Sequence, residues 1–70
     1  MPEMTYVDSS NIEAVGYDEE AQEMHVQFLN GGYYIYHGVP RQTFDGMMSA
    51  PSKGSFLNRE VKNVYSYTKQ

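Results

Sequence analysis

The chain has 70 residues, enough for one domain with a small core, because a chain of this length buries only about 60% of the surface that it exposes when unfolded. It contains no cysteine, which excludes disulfides and thiolate metal sites, and no apolar run approaches the roughly 18 residues of a membrane span. The first residues lack the basic and apolar segments of a secretory signal, so we expect a cytoplasmic protein.

The net charge of −4 is distributed unevenly along the chain. Residues 1–40 contain seven acids and no Lys or Arg, whereas residues 41–70 contain all five bases and two acids, which gives charges of −7 and +3. Such asymmetry indicates either a partner surface on the basic half or attraction between the halves within one fold. We favour attraction within the fold, since a charge of +3 is far from a strongly basic footprint.

Alternation of apolar and polar residues predicts three consecutive strands joined by short connections. The strands are expected at residues 12–17, 23–29 and 33–39, after a loosely ordered tail over residues 1–8. Between the second and third strands, a three-residue loop Asn30-Gly31-Gly32 with a left-handed glycine would place Leu29 opposite Tyr33. The predicted core face then carries Met24, Val26, Phe28, Tyr34 and Tyr36, and the predicted outer face carries His25, Gln27, Leu29, Tyr33, Ile35 and His37.

From Pro40 onward the pattern changes to helical spacing. A first helix should be short because of Gly46, and a second should begin after the N-cap Ser52 and end near Val61. The segment Tyr65-Ser66-Tyr67 is either a short final strand or an extended tail on the sheet. We therefore predict an α+β domain over residues 9–68, with a three-stranded antiparallel meander followed by two short helices packed on one face.

Several segments together resemble the KTSC domain family. They are Gly16-Tyr17-Asp18, Asn30-Gly31-Gly32-Tyr33-Tyr34-Ile35-Tyr36-His37-Gly38-Val39-Pro40, Met48-Ser49-Ala50, Lys53-Gly54-Ser55-Phe56-Leu57-Asn58 and Val64-Tyr65-Ser66-Tyr67. Each is weak alone, but their order and spacing are specific. The resemblance implies a domain found as stand-alone bacterial and phage proteins and as a C-terminal extension of some lysyl-tRNA synthetases. It implies no established activity, and RNA binding only by association with the synthetases.

Five residues are candidates for nucleic-acid binding: Arg41, Lys53, Arg59, Lys62 and Tyr33. The lysine and arginine side chains would contact phosphate if the fold brings them to one side of the molecule. Basic residues spread over thirty positions, however, more often lie on solvated helix faces. Tyr33 is the better stacking candidate, because the predicted register places Tyr34 and Tyr36 in the core. Lys53-Gly54 near a helix N-terminus is a weaker anion-binding signal.

An alternative is a protein-interaction or homo-oligomerisation module that uses the outer sheet face. It depends on a candidate apolar patch of Leu29, Tyr33 and Ile35 on that face. The outer face would also carry His25 and His37 opposite each other, with Glu23 nearby, but most cross-strand histidine pairs are ordinary surface residues. We predict no metal, no cofactor and no enzymatic activity, since no serine sits in a nucleophile context and a deep pocket is not expected.

Overall fold

The computed structural model describes residues 2–70 and contains a five-stranded antiparallel sheet with helices on one face. The α+β class is therefore confirmed, whereas the three-stranded sheet is wrong because a strand is added at each edge. In chain order the elements are β1 (Met4–Tyr6), β2 (Ile12–Asp18), β3 (Glu23–Phe28), β4 (Tyr33–His37), α1 (Arg41–Ser49), α2 (Lys53–Phe56), a π-helical turn that continues α2 (Leu57–Val61), and β5 (Tyr67–Lys69).

The two added strands are short and mostly exposed, so neither has a pattern long enough to be recognised. β1 pairs with β2 through Met4 and Gly16, although it lies in the segment for which we expected a loose tail. Met1, the first residue of that tail, lies outside the described residues. β5 pairs with β4 through Tyr67 and Tyr36, which selects a strand over an extended tail. The proposed domain boundaries at residues 9 and 68 stay a prediction.

The hairpin between β3 and β4 differs from the predicted register by two residues. The N–H of Phe28 donates to the Gly32 carbonyl at 2.8 Å, so the three-residue loop is Leu29-Asn30-Gly31. Gly31 adopts the left-handed conformation at φ +96°, and the Asn30 side chain accepts from the Gly32 N–H at 2.9 Å. Because the shift is even, strand side chains keep their predicted faces, but Leu29 moves out of the strand.

The core lies between the sheet and the helices. Side chains from β2, β3, β4 and the β4–α1 connection meet α1 and the π-helical turn in one cluster: Ile12, Val15, Met24, Val26, Tyr36, Val39, Met47, Leu57 and Val61. Pro40 stands at the N-cap of α1, where its missing N–H leaves no hydrogen bond unmade. Ser52 caps α2 by accepting from the Ser55 N–H at 3.3 Å. The predicted two short helices and their single packing face are confirmed.

The outer face of the sheet is closed at its centre by the N-terminal segment. A Cβ atom on Gly16 would lie 2.7 Å from Met4 Sδ and 2.8 Å from the Glu3 carbonyl oxygen. Pro2 Cγ would lie 3.3 Å from the same position. Only glycine allows this close approach, so the Met4 side chain and residues 2–3 pack directly over Gly16, while β1 pairs beside β2 at the edge of the sheet.

Candidate functional site

An open cleft lies on the helix side of the sheet, between the β4–β5 edge and the π-helical turn. Its volume is about 610 Å³. The floor is aromatic, and the wall facing it carries Leu57, Asn58 and Lys62. The floor residues are Phe28, Tyr34, Tyr36 and Tyr67, which we call the aromatic floor. The remaining rim comes from Ser10, Asn11, Leu29 and Asn30. We call the whole feature the aromatic cleft.

Strand pairing brings the four rings of the aromatic floor into contact. Tyr34 is the centre: its ring centroid lies 5.4 Å from that of Phe28, edge to face, and 5.3 Å from that of Tyr67. Tyr36 stacks on Tyr34 at 6.3 Å. Tyr36 is only 2% exposed whereas Tyr67 is 54% exposed, so the contacting rings extend from the core to the solvent-exposed surface.

The two tyrosines expected in the core therefore differ. Tyr36 belongs to the core, as predicted, and burial, with smaller contributions from Tyr34 and Tyr67, raises the pKa of its hydroxyl. Tyr34 is half-buried and lines the aromatic cleft, so its assignment to the core alone was incomplete. The buried, neutral Tyr36 ring thus packs against the partly accessible Tyr34 ring.

Two lysines lie beside the aromatic floor. Lys62 follows the π-helical turn and lines the aromatic cleft, and within residues 2–70 it enters no ion pair. Lys69 on β5 holds its Nζ 5.8 Å from the centroid of the Tyr34 ring, within cation–π range. Positive charge and accessible aromatic surface therefore meet at one edge of the molecule.

The other predicted bases already have partners within the fold. Arg41 pairs with Asp45 at 3.1 Å and with Glu19 at 2.9 Å, and these carboxylates, Asp45 above all, raise its pKa. Arg59 pairs with Glu60 at 3.2 Å. Lys53 donates to the Ala50 carbonyl at 3.1 Å and lines a separate polar cleft of about 470 Å³. The Arg41–Glu19 pair joins the basic and acidic halves of the chain.

Tyr33, the remaining predicted nucleic-acid contact, lies on the opposite face of the sheet. Its hydroxyl lies 2.8 Å from His25 Nδ1 and 3.7 Å from Met4 Sδ. Of the five predicted nucleic-acid-binding residues, the structure places only Lys62 in the aromatic cleft. The predicted patch is also divided, because Leu29 is in the hairpin loop and lines the cleft while Tyr33 and Ile35 stay on the outer face.

His25 and His37 do not face each other, contrary to the predicted register. Glu23 lies opposite His37, and Ile35 lies opposite His25. The carboxylate of Glu23 is 3.1 Å from His37 Nδ1 and 3.9 Å from His25 Nε2. Within residues 2–70, no three His, Cys, Asp or Glu side chains are arranged to hold a metal ion.

His25 is buried, with 5% of its surface exposed, and burial lowers its pKa. Its Nε2 has no hydrogen-bond partner among the described residues, since 3.9 Å to Glu23 is too long. His25 Nδ1 and the Tyr33 hydroxyl share one hydrogen bond, and the tautomer of the ring sets its direction. His25 is thus a structural group under the N-terminal segment.

Sequence reasoning missed most of the aromatic cleft region, including Leu57 and Asn58 on the wall and Tyr67 and Lys69 on β5. Tyr67 and Lys69 alternate, which places both on one face of a strand. This signal was present in the sequence, but a strand of three exposed residues cannot be distinguished from a tail by pattern alone.

The fold and the cleft together define a small α+β domain in which two lysines border a partly exposed aromatic surface. The KTSC domain family model matches residues 8–65, and the chain belongs to this family. It is 44% identical over 59 residues to a protein from Tsukamurella paurometabola, covering 84% of this chain and 88% of that protein. A crystal structure of a KTSC domain protein from Yersinia pestis matches with a TM-score of 0.96 and 34% identity, covering 100% of this chain and 99% of that one.

The family also extends to much larger proteins. The lysine–tRNA ligase of Nostoc punctiforme is 28% identical over 60 residues, which cover 86% of this chain and 11% of the ligase. The resemblance predicted from the motifs is therefore confirmed. Within residues 2–70, no helix combines the length and apolar character needed to cross a membrane.

Proposed function

We propose that this chain is a small non-catalytic RNA-binding module of the cytoplasm and that the aromatic cleft is its binding surface. The observation that carries the proposal is the meeting of the exposed Tyr67 ring with Lys62 and Lys69 at one edge of the sheet. Aromatic rings stack on bases and lysines neutralise phosphates, which is the combination used by proteins that bind single strands.

The composition of the cleft favours binding over catalysis. Its lining consists of aromatic, aliphatic, hydroxyl and amide side chains with Lys62. Among residues 2–70, neither a carboxylate nor a histidine lines it, so the ionisable groups in contact with its contents are the tyrosine hydroxyls and the Lys62 ammonium group. The relatives named lysine–tRNA ligases carry a similar segment in a protein concerned with RNA, which favours RNA as the ligand.

A protein-interaction or homo-oligomerisation module is the competing proposal. Tyr6 on the edge strand β1 is 74% exposed and offers apolar surface for it. The centre of the outer face favours it less, because Met4 covers Gly16 and Tyr33 contacts His25. With Leu29 displaced into the hairpin loop, the apolar area expected there is reduced.

Titration of the full chain with transfer RNA and with single-stranded RNA at low salt tests the proposal. We expect binding that weakens as salt rises, and a loss of about tenfold or more in Tyr67→Leu, because stacking is worth about 1–3 kcal/mol per base. Tyr6→Leu is the matched control, since Tyr6 is also an exposed tyrosine on a three-residue edge strand. Absence of binding at low salt would contradict the proposal. Light scattering on the same samples tests the competing proposal of homo-oligomerisation.

A further inference from the structure

We infer that the aromatic cleft takes a single unpaired nucleotide, one base with its adjacent phosphates, and that it does not follow a long strand or a duplex. This inference rests on the proposed function and specifies its ligand. It comes from three features of the cleft: the number of available ring faces, the number of available cations, and the size of the cleft.

The arrangement of the rings leaves one stacking platform. Tyr34 and Tyr67 have centroids 5.3 Å apart at an angle of 47°, so these rings already touch and no base fits between them. Tyr36 is buried beneath them and offers little surface. One base can therefore stack against the exposed side of Tyr67, whereas strand-binding proteins hold several bases on rings spaced along a groove.

The available positive charge limits the phosphates to about two. Lys62 and Lys69 border the aromatic floor, while Arg41 and Arg59 are held in ion pairs. Lys53 is bonded to a backbone carbonyl and lines the neighbouring cleft. With a net charge of −4, the rest of the surface repels further phosphates instead of binding them.

The dimensions and lining suit one base. A volume of about 610 Å³ falls within the roughly 300–1,000 Å³ of small-molecule sites. Asn58 on the wall carries an amide that can both donate to and accept from the edge of a base. The amide oxygen of Asn11 on the rim already accepts from the Ser9 hydroxyl at 3.0 Å, and its NH2 group can donate to a base. Those edges are free in loops, bulges and single-stranded ends, whereas a paired base in a duplex cannot enter such a cleft.

The test measures binding of the full chain to oligouridylates of one, three, six and twelve nucleotides, and to a twelve-base-pair RNA duplex, over a range of salt. We expect affinity to rise from one to three nucleotides. Beyond three, it should rise only in proportion to the number of positions along the oligomer at which the cleft can bind. The slope of log K against log salt should be about −1.4, the value for two phosphates on a single strand. The duplex should bind at least tenfold more weakly than the trinucleotide.

Two controls make the result specific to the cleft. A trinucleotide with an abasic central position should lose at least tenfold in affinity, because the phosphates remain while the stacking is lost. Lys62→Gln should reduce the salt slope by about 0.7, and Lys62→Arg should restore it, since arginine keeps the charge.

The possible failures are distinguishable. No binding of any oligomer contradicts the proposed function and this inference together. The single-nucleotide site is overturned, with RNA binding left intact, by either of two results. One is an affinity, divided by the number of binding positions on the oligomer, that keeps rising to twelve nucleotides. The other is a salt slope steeper than about −3. Equal affinity for the abasic and intact trinucleotides overturns the stacking role of Tyr67.

Discussion

The two faces of this sheet are closed in different ways. On the helix side, α1 and the π-helical turn bury a continuous apolar cluster, yet they leave the aromatic cleft open near β5. On the outer side, the N-terminal segment covers the sheet centre over Gly16, and a histidine lies buried there with a tyrosine hydroxyl. Apolar packing supplies most of the stability on the first side, whereas close backbone approach and a polar pair organise the second.

This difference separates binding from structure in a chain where tyrosine serves both. Tyr67 is exposed beside two lysines on the helix side, and Tyr33 is engaged with His25 on the outer side. The residue type alone does not indicate the role, because a tyrosine ring packs well while its hydroxyl needs a polar partner or water. The following predictions test whether the two faces differ as described.

The largest effect on stability should come from the helix side. Met24→Ala removes a fully buried side chain from β3, and we expect a loss of about 2–5 kcal/mol in the free energy of unfolding. Urea denaturation followed by circular dichroism measures it. Leu29→Ala, at a position that is 56% exposed, should change stability by less than about 0.5 kcal/mol. Similar losses in the two variants would show that the core is placed wrongly.

The next effect compares the same substitution on the two faces. Gly16→Ala forces a methyl group against Met4 Sδ and the Glu3 carbonyl, and we expect a loss of about 1–3 kcal/mol with faster amide exchange in β1. Gly46→Ala in α1 places its methyl group 3.2 Å from the partly buried ring of Phe56, a milder contact, and gains helix propensity of up to about 1 kcal/mol, so its loss of stability should be smaller than that of Gly16→Ala. If Gly16→Ala is as stable as the parent, the N-terminal segment does not cover β2.

A smaller effect is expected from the hydroxyl of Tyr33. Tyr33→Phe leaves His25 Nδ1 buried without the partner it has at 2.8 Å, which should cost about 1–2 kcal/mol in unfolding free energy. Tyr6→Phe provides the control, since it removes the hydroxyl of a tyrosine that is largely exposed on the same side. Equal stability of Tyr33→Phe and the parent would argue against the His25–Tyr33 hydrogen bond.

The smallest effect is a pH dependence from His25. Burial lowers its pKa in the folded state, so the unfolded chain binds the proton more tightly. Stability should therefore be complete above the unfolded pKa of about 6.5 and decrease as the pH falls below it. Glu23 and Asp18 oppose this shift, because their charges favour the protonated ring, while His37 adds to it.

Urea titrations at pH 7, 6 and 5 measure this dependence. His25→Gln should flatten the decrease between pH 7 and 5, whatever its effect on stability at pH 7. His37→Gln is the matched variant, because that ring lies on the same face with 38% of its side chain exposed, and the decrease should persist in it. An unchanged decrease in His25→Gln would show that other groups cause it.

Much of the fold follows from local patterns. The alternation in β3 and the change of period at Pro40 indicate the central strands and the helices, because burial on one side of each element imposes its own spacing. The glycine pair indicates the hairpin but not its register, since either glycine can take the left-handed conformation. An error of two residues preserves the faces of the strands, which is why the core residues of the hairpin remain correct.

The candidate site was less accessible to sequence reasoning. Lys62 was identified by charge, but Tyr67 and Lys69 become part of a site only when β5 pairs with β4 and brings them beside Tyr34. Likewise, Arg41 looks available in the sequence until the fold places Glu19 next to it. Contacts between residues far apart in the chain depend on strand pairing, which a short edge strand does not signal.

By itself, the sequence determined the α+β class, the family, and the faces of the central strands, because these depend on local periodicity and on an ordered set of short motifs. Only the tertiary structure decided which tyrosines face solvent, which bases are free of carboxylates, and what covers Gly16. The physical reason is that the exposure and ion pairing of a side chain depend on the residues that surround it in space. In this chain the deciding neighbours come from the edge strands β1 and β5 and from the loop between β2 and β3.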